Sequence, residues 1–145
     1  MVATFGPSGS TFLHMMPYER LRAWHACHEL YVTLYQVSAR WPPHERFGLT
    51  AQLRRAALSA GSCIAEGVVK RGPHEFARYL GMAIGSLSEV SYQLRAARDV
   101  GIATAQDFEK LEALREKASK TTRRLYQGVQ RLKERKEGNS PTVRR

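Results

Sequence analysis

The chain has only two cysteines in 145 residues, Cys27 and Cys63. Neither is flanked by Cys or His at zinc-ligand spacing, and both fall inside helical patterns. That excludes a disulfide scaffold and points to reduced core thiols in a cytoplasmic protein. Long apolar runs are absent too, so no segment is suited to cross a bilayer and no membrane role is expected. The first sixteen residues, "MVATFGPSGSTFLHMM", contain no Lys or Arg and no sustained apolar stretch. They do not read as a signal peptide but as a flexible leader. No phosphate-binding glycine loop and no nucleophile-and-base motif occurs.

Acidic residues are scarce at one end. From Lys117 to Arg145 there are ten basic residues and two acidic ones, so most of the net charge of +10 sits there. Such asymmetry points to a polyanionic partner, nucleic acid before membrane.

What remains is rich in helix formers, with no convincing strand. Apolar residues recur at three-to-four spacing in four segments. The first runs from about Tyr18 to Trp41, with the seam Ala23, Cys27, Leu30, Leu34, Val37 and Trp41. "WPPHERFG" ends it, because two prolines cannot continue a helix. The second spans about Leu49 to Val69, and "KRGPHE" stops it; Pro73 then suits the first turn of the third, which runs to about Val100. Thr104 is the expected N-cap of the fourth, whose stripe includes Phe108, Leu111, Leu114, Ala118, Leu125, Val129 and Leu132. Glu116 and Lys120 form a favourable pair four apart. The expected organisation is a leader over 1–16, an all-α antiparallel up-down four-helix bundle over 17–134, and a basic disordered tail over 135–145.

The stretch "SAGSCIAEGVVKRG", Ser59 to Gly72, holds almost nothing large. Gly61 and Gly67 lie in the second helix, and Gly81 and Gly85, beside Ser86, in the third. Each internal glycine costs about 1 kcal/mol relative to alanine, so something must offset the loss. Close helix packing is one account; a subunit interface or a ligand under these small faces is the other. Glu66 and Glu89 stand in the same regions, with Arg54, Arg55 and Arg78 as candidate partners. A buried carboxylate needs such partners or becomes neutral. Structural ion pairs, within or between subunits, are weighed against a catalytic or metal-binding role. Di-iron bundles need Glu-x-x-His on two helices, and no Glu here has that spacing. In "HACH", His25, Cys27 and His28 fan around the helix, and His28 is read as a satisfied histidine on the apolar side. No metal, cofactor or catalytic residue is expected.

Two segments, "LTAQLRRAALSAGSCIAEG" and "FARYLGMAIGSLSEV", together with Trp24, His28, Leu30, Tyr35, Pro42, Glu45, Arg46 and Leu49, carry a resemblance. The chain is similar to the four-helix-bundle proteins encoded in intervening sequences of bacterial 23S ribosomal RNA genes, and to accessory proteins of diversity-generating retroelements. The resemblance covers about Leu21 to Gly101. Departures are Cys63, where the family usually has Asn, Gly61, near a usual Pro, and Ser91, where a second Glu is usual. The resemblance implies a ring-shaped homo-oligomer, typically a pentamer, with no known enzymatic activity. Accessory members look like nucleic-acid-binding partners of a reverse transcriptase. It also casts Glu66, Arg54 and Arg55 as polar anchors near a subunit contact.

Three functions follow as candidates. A nucleic-acid-binding module, for RNA or DNA, would use Lys117, Lys120, Arg124 and Arg131, which share one flank of the fourth helix, extended by Lys133, Arg135 and Lys136. A protein-interaction scaffold, for example for a reverse transcriptase, is the alternative. A hydrolase using Glu66 and Glu89 has the least support, since no His or metal cluster accompanies them.

Overall fold

A computed structural model describes residues 15–139. The leader up to residue 14, and residues 140–145 of the expected tail, lie outside the described residues. Among the described residues there are four α-helices and no strand. These are α1 (Arg22–Ser38), α2 (Leu49–Val68), α3 (Gly72–Asp99) and α4 (Ala105–Gly138). Short 3₁₀ turns at Pro17–Arg20 and Pro43–Glu45 precede α1 and α2.

The boundaries follow from local chemistry. α1 stops at Ser38, three residues before the end read from periodicity, because Trp41 has left the helix to pack in the turn ahead of Pro42 and Pro43. Trp41 is still buried, and its indole N–H donates to Asp107 Oδ2 at 3.2 Å. At the start of α2 the Glu45 carboxylate accepts from the Leu49 N–H, one of the unpaired donors of a helix start. Gly72 has φ +81, so the sharp turn into α3 needs its missing Cβ, and Pro73 occupies the first turn as expected. α4 opens on Thr104, whose hydroxyl accepts from the Asp107 N–H at 3.0 Å, the cap expected from the sequence. It runs through Arg135 and Lys136 to Gly138, beyond Glu134, so the first residues of the expected tail are helical.

Each helix packs on its neighbour in sequence, and α1 also packs on α4. The layer between them is aliphatic: Leu30, Leu34, Leu53, Ile64, Leu80, Leu87, Leu94 and Leu111 are fully buried. The seam expected for α1 belongs to this core, as do the buried apolar residues of α2 and α3, with Leu49 and Phe76 at its edge. α4 departs from its expected stripe at two places. Thr122 is fully buried, with its hydroxyl 3.8 Å from Cys27 Sγ, whereas Leu132 is 52% exposed. Both cysteines are free and buried. No helix of the described residues is long and apolar enough to cross a membrane.

Candidate nucleic-acid interface

The small residues of α2 and α3 have two different reasons. A Cβ on Gly67 would lie 2.5 Å from the Tyr79 Cβ, so this glycine is required by the approach of α3 to α2. Ser86 joins the same contact, its hydroxyl 3.0 Å from that of Ser59. Gly61 sits at ordinary distance from Cys27 and Trp24, with 3.8 Å as the nearest approach. Gly81 and Gly85 meet nothing within 4 Å and are exposed, so close packing within the chain does not explain them.

The five residues expected to form one polar network are dispersed. Arg54 donates to Ser38 Oγ at 2.8 Å and to the Tyr35 carbonyl at 3.2 Å, and lies over the Tyr35 ring; it ties α2 to the end of α1. Arg78 grips Glu75 with two hydrogen bonds, which hold the Glu75 carboxyl below the usual carboxylate range. Glu66 is exposed rather than buried; it accepts from the Tyr79 hydroxyl at 3.0 Å and pairs with Lys70 at 3.6 Å, not with an arginine. Glu89, also exposed, accepts from Gln93 at 3.1 Å and shares a shallow depression with Arg55. Glu89 is ten residues beyond Tyr79 on α3, about 15 Å along the axis, so the two carboxylates do not converge. His28 is exposed and stacks on Trp24 with ring centroids 4.8 Å apart, rather than facing the core. Among the described residues no three His, Cys, Asp or Glu gather as metal ligands.

Six of the seven basic residues expected to form the α4 surface fall into two groups. Lys117 pairs with Glu29 of α1 at 3.1 Å, and Lys120 with Glu116 at 3.3 Å, the pair expected from the spacing. Further along, Arg124, Arg131, Arg135 and Lys136 form no ion pair among the described residues. All four line one cleft of about 720 Å³ between the second half of α4 and the α2–α3 turn. Positions 124, 131 and 135 recur at intervals of seven and four, so they share one face of the helix. Lys133 is half-buried and not part of this cleft.

The rest of the cleft lining was not singled out from the sequence as site residues. Lys70, at the end of α2, adds a fifth cation to the rim. Phe76 of α3 and Gly128 of α4 line the cleft together with Leu125, Val129 and Leu132. The available signal was Gly128, an unexplained glycine in the middle of a long helix.

Four helices and no strand among the described residues, a basic end, and an apolar-floored cleft under arginines unpaired among those residues define the class: an all-helical protein with a basic surface. The family model of the 23S rRNA-intervening sequence protein matches residues 19–124, and the chain belongs to that family. No curated protein matches the chain.

Proposed function

We propose that the protein is a non-enzymatic, oligomeric RNA-binding accessory protein that holds phosphates with the second half of α4. The observation that carries this reading is the set of Arg124, Arg131, Arg135 and Lys136 around one cleft with no carboxylate partner among the described residues. Cations free of internal partners exchange small counterions for phosphates, the main source of affinity for nucleic acids. The family is named for sequences that interrupt ribosomal RNA, which supports an RNA-related role. Lys117 and Lys120 lie on the same helix but are already paired, so they belong to the margin of the surface.

The helices are proposed to run up and down. Residue 29 of α1 meets 117 of α4 while 41, just past α1, meets 107, and 59 of α2 meets 86 of α3 while 66 meets 79. In each pair one number rises as the other falls. The assembly is proposed to be a ring of identical chains, a pentamer by family resemblance, whose repeated basic surfaces add by avidity. The exposed face of Gly81, Gly85 and Tyr92 supports such a contact. A scaffold for a reverse transcriptase, with no direct nucleic-acid role, is the alternative proposal; a cytoplasmic location goes with either.

Binding to structured RNA and to duplex DNA across a salt series tests the reading. Replacing Arg124, Arg131, Arg135 and Lys136 with Gln is expected to flatten the dependence of log K on log salt by roughly three units. Replacing Lys117 and Lys120 alone has a smaller effect. If neither nucleic acid binds at moderate salt, the charge is a solvated face and the working partner is a protein.

A further inference from the structure

The cleft at the end of α4 has an apolar floor that phosphate contacts alone leave unexplained. Leu125, Val129, Leu132 and Phe76 line it, and Leu132 is half exposed to water. Gly128 lies between Leu125 and Leu132 on the helix and contributes no side chain, so the middle of the floor stays open. A Cβ there would meet only the tip of Arg131, at 3.9 Å, so packing does not require the glycine. Around this floor stand Lys70, Arg124, Arg131, Arg135 and Lys136, with no acidic residue in the lining. A volume of about 720 Å³ is in the range that takes a small planar ligand.

A duplex keeps its bases stacked inside and offers phosphates and sugars, which would leave the apolar floor wet. A single strand offers both chemistries at once: phosphates along the backbone, and a base whose face is apolar and free to unstack. An acidic peptide could also match the rim, but three of the five cations are arginines, whose flat guanidinium groups stack on bases as well as binding phosphate. We infer that the cleft takes one unstacked base of a single-stranded RNA segment, with the flanking phosphates held by the rim. This rests on the RNA-binding reading of the same surface and adds what kind of RNA it selects.

The test uses the full chain and two fluorescent probes with the same number of phosphates: an oligoadenylate and an abasic strand of the same length. The intact protein is expected to prefer the oligoadenylate by about tenfold, the scale of one base stacked on a protein surface. Gly128→Leu fills the floor, and Leu132→Gln makes it polar; neither changes a charge. Both are expected to abolish the preference while the rim cations still bind the abasic strand. Gly128→Leu also improves helix propensity, and Leu132 is too exposed to be needed for folding. Equal binding of the two probes, or a preference that survives both substitutions, overturns the base-binding inference and leaves the phosphate grip standing. Binding of neither probe, with capture of an acidic amphipathic peptide instead, overturns the RNA reading as well.

Discussion

Gly67 of α2 faces Tyr79 of α3 so closely that a Cβ on residue 67 would stand 2.5 Å from the Tyr79 Cβ. The obstructing atom is fixed to its own backbone and cannot swing aside. Phe76 crowds the same position at 3.2 Å. Gly67→Ala would gain about 1 kcal/mol of helix propensity but incur roughly 1–3 kcal/mol of overpacking. Denaturant unfolding is expected to show a net loss of up to about 2 kcal/mol. A gain in stability would mean that α2 and α3 are not held together this tightly in solution.

The turn before α4 is fixed by a second small cluster. Thr104 caps the helix, and Asp107 accepts from the buried Trp41 indole while Arg40 lies 3.6 Å away. Thr104→Ala is expected to cost about 1 kcal/mol, the usual loss for an N-cap hydroxyl. Trp41→Phe keeps most of the buried ring but leaves Asp107 with only the exposed Arg40 as partner. A thermal melt of each variant checks both, and no shift for Thr104→Ala would show that water replaces the cap without loss.

Much of this architecture was legible because its cause is periodic. The seams of α1, α2 and α3 follow from three-to-four spacing, and Gly72, Pro73 and Thr104 mark their ends by backbone chemistry that any sequence shows. The polar contacts were not legible in the same way. The Glu66–Lys70 pair lies four apart at the end of α2, a spacing the sequence shows, but the Tyr79 hydroxyl reaches Glu66 because the α2–α3 approach at Gly67 sets that ring beside it, a tertiary fact with no sequence period. Likewise Leu132 continues the apolar stripe of α4 in sequence. In space it faces a cleft rather than the packed interior, so it is an open surface and not core. The cationic flank was visible from spacing alone. The Lys120–Glu116 pair was legible as well, whereas the Lys117 pair depends on where α1 places Glu29.

Gly81, Gly85, Ser88 and Tyr92 recur at intervals of four, three and four on α3, and all four are exposed. Tyr92 is 72% exposed, a large ring left in water in a lone chain. If a second copy covers this face, Gly85→Arg places a long charged chain in the contact. The variant is expected to remain helical by circular dichroism but to lose assembly in light scattering. In a lone chain the same position meets only open space, so Gly85→Ala should then raise stability by about 1 kcal/mol. An unchanged mass for Gly85→Arg moves the subunit contact elsewhere.

Cys27 supplies a pH dependence that can be isolated. Burial pushes its thiol up from 9.0 to about 11, the Thr122 hydrogen bond offsetting part of that rise and nearby Cys63 adding to it. The folded state therefore holds the thiol proton more tightly than the unfolded chain does. Below about 9 both states keep the proton and the stabilising contribution is complete; it is lost as pH rises through about 11. The difference corresponds to a loss on the order of 2–3 kcal/mol across that window. Lysines and tyrosines titrate over the same range, so the control is Cys27→Ala, which lowers stability at every pH but removes this component of the slope. Urea unfolding at pH 8 and pH 10.5 should show the intact chain losing more stability between the two than Cys27→Ala does. Equal losses would mean that the thiol reaches water in the folded state, and that α1 and α4 part at Cys27 and Thr122 far more readily than their packing implies.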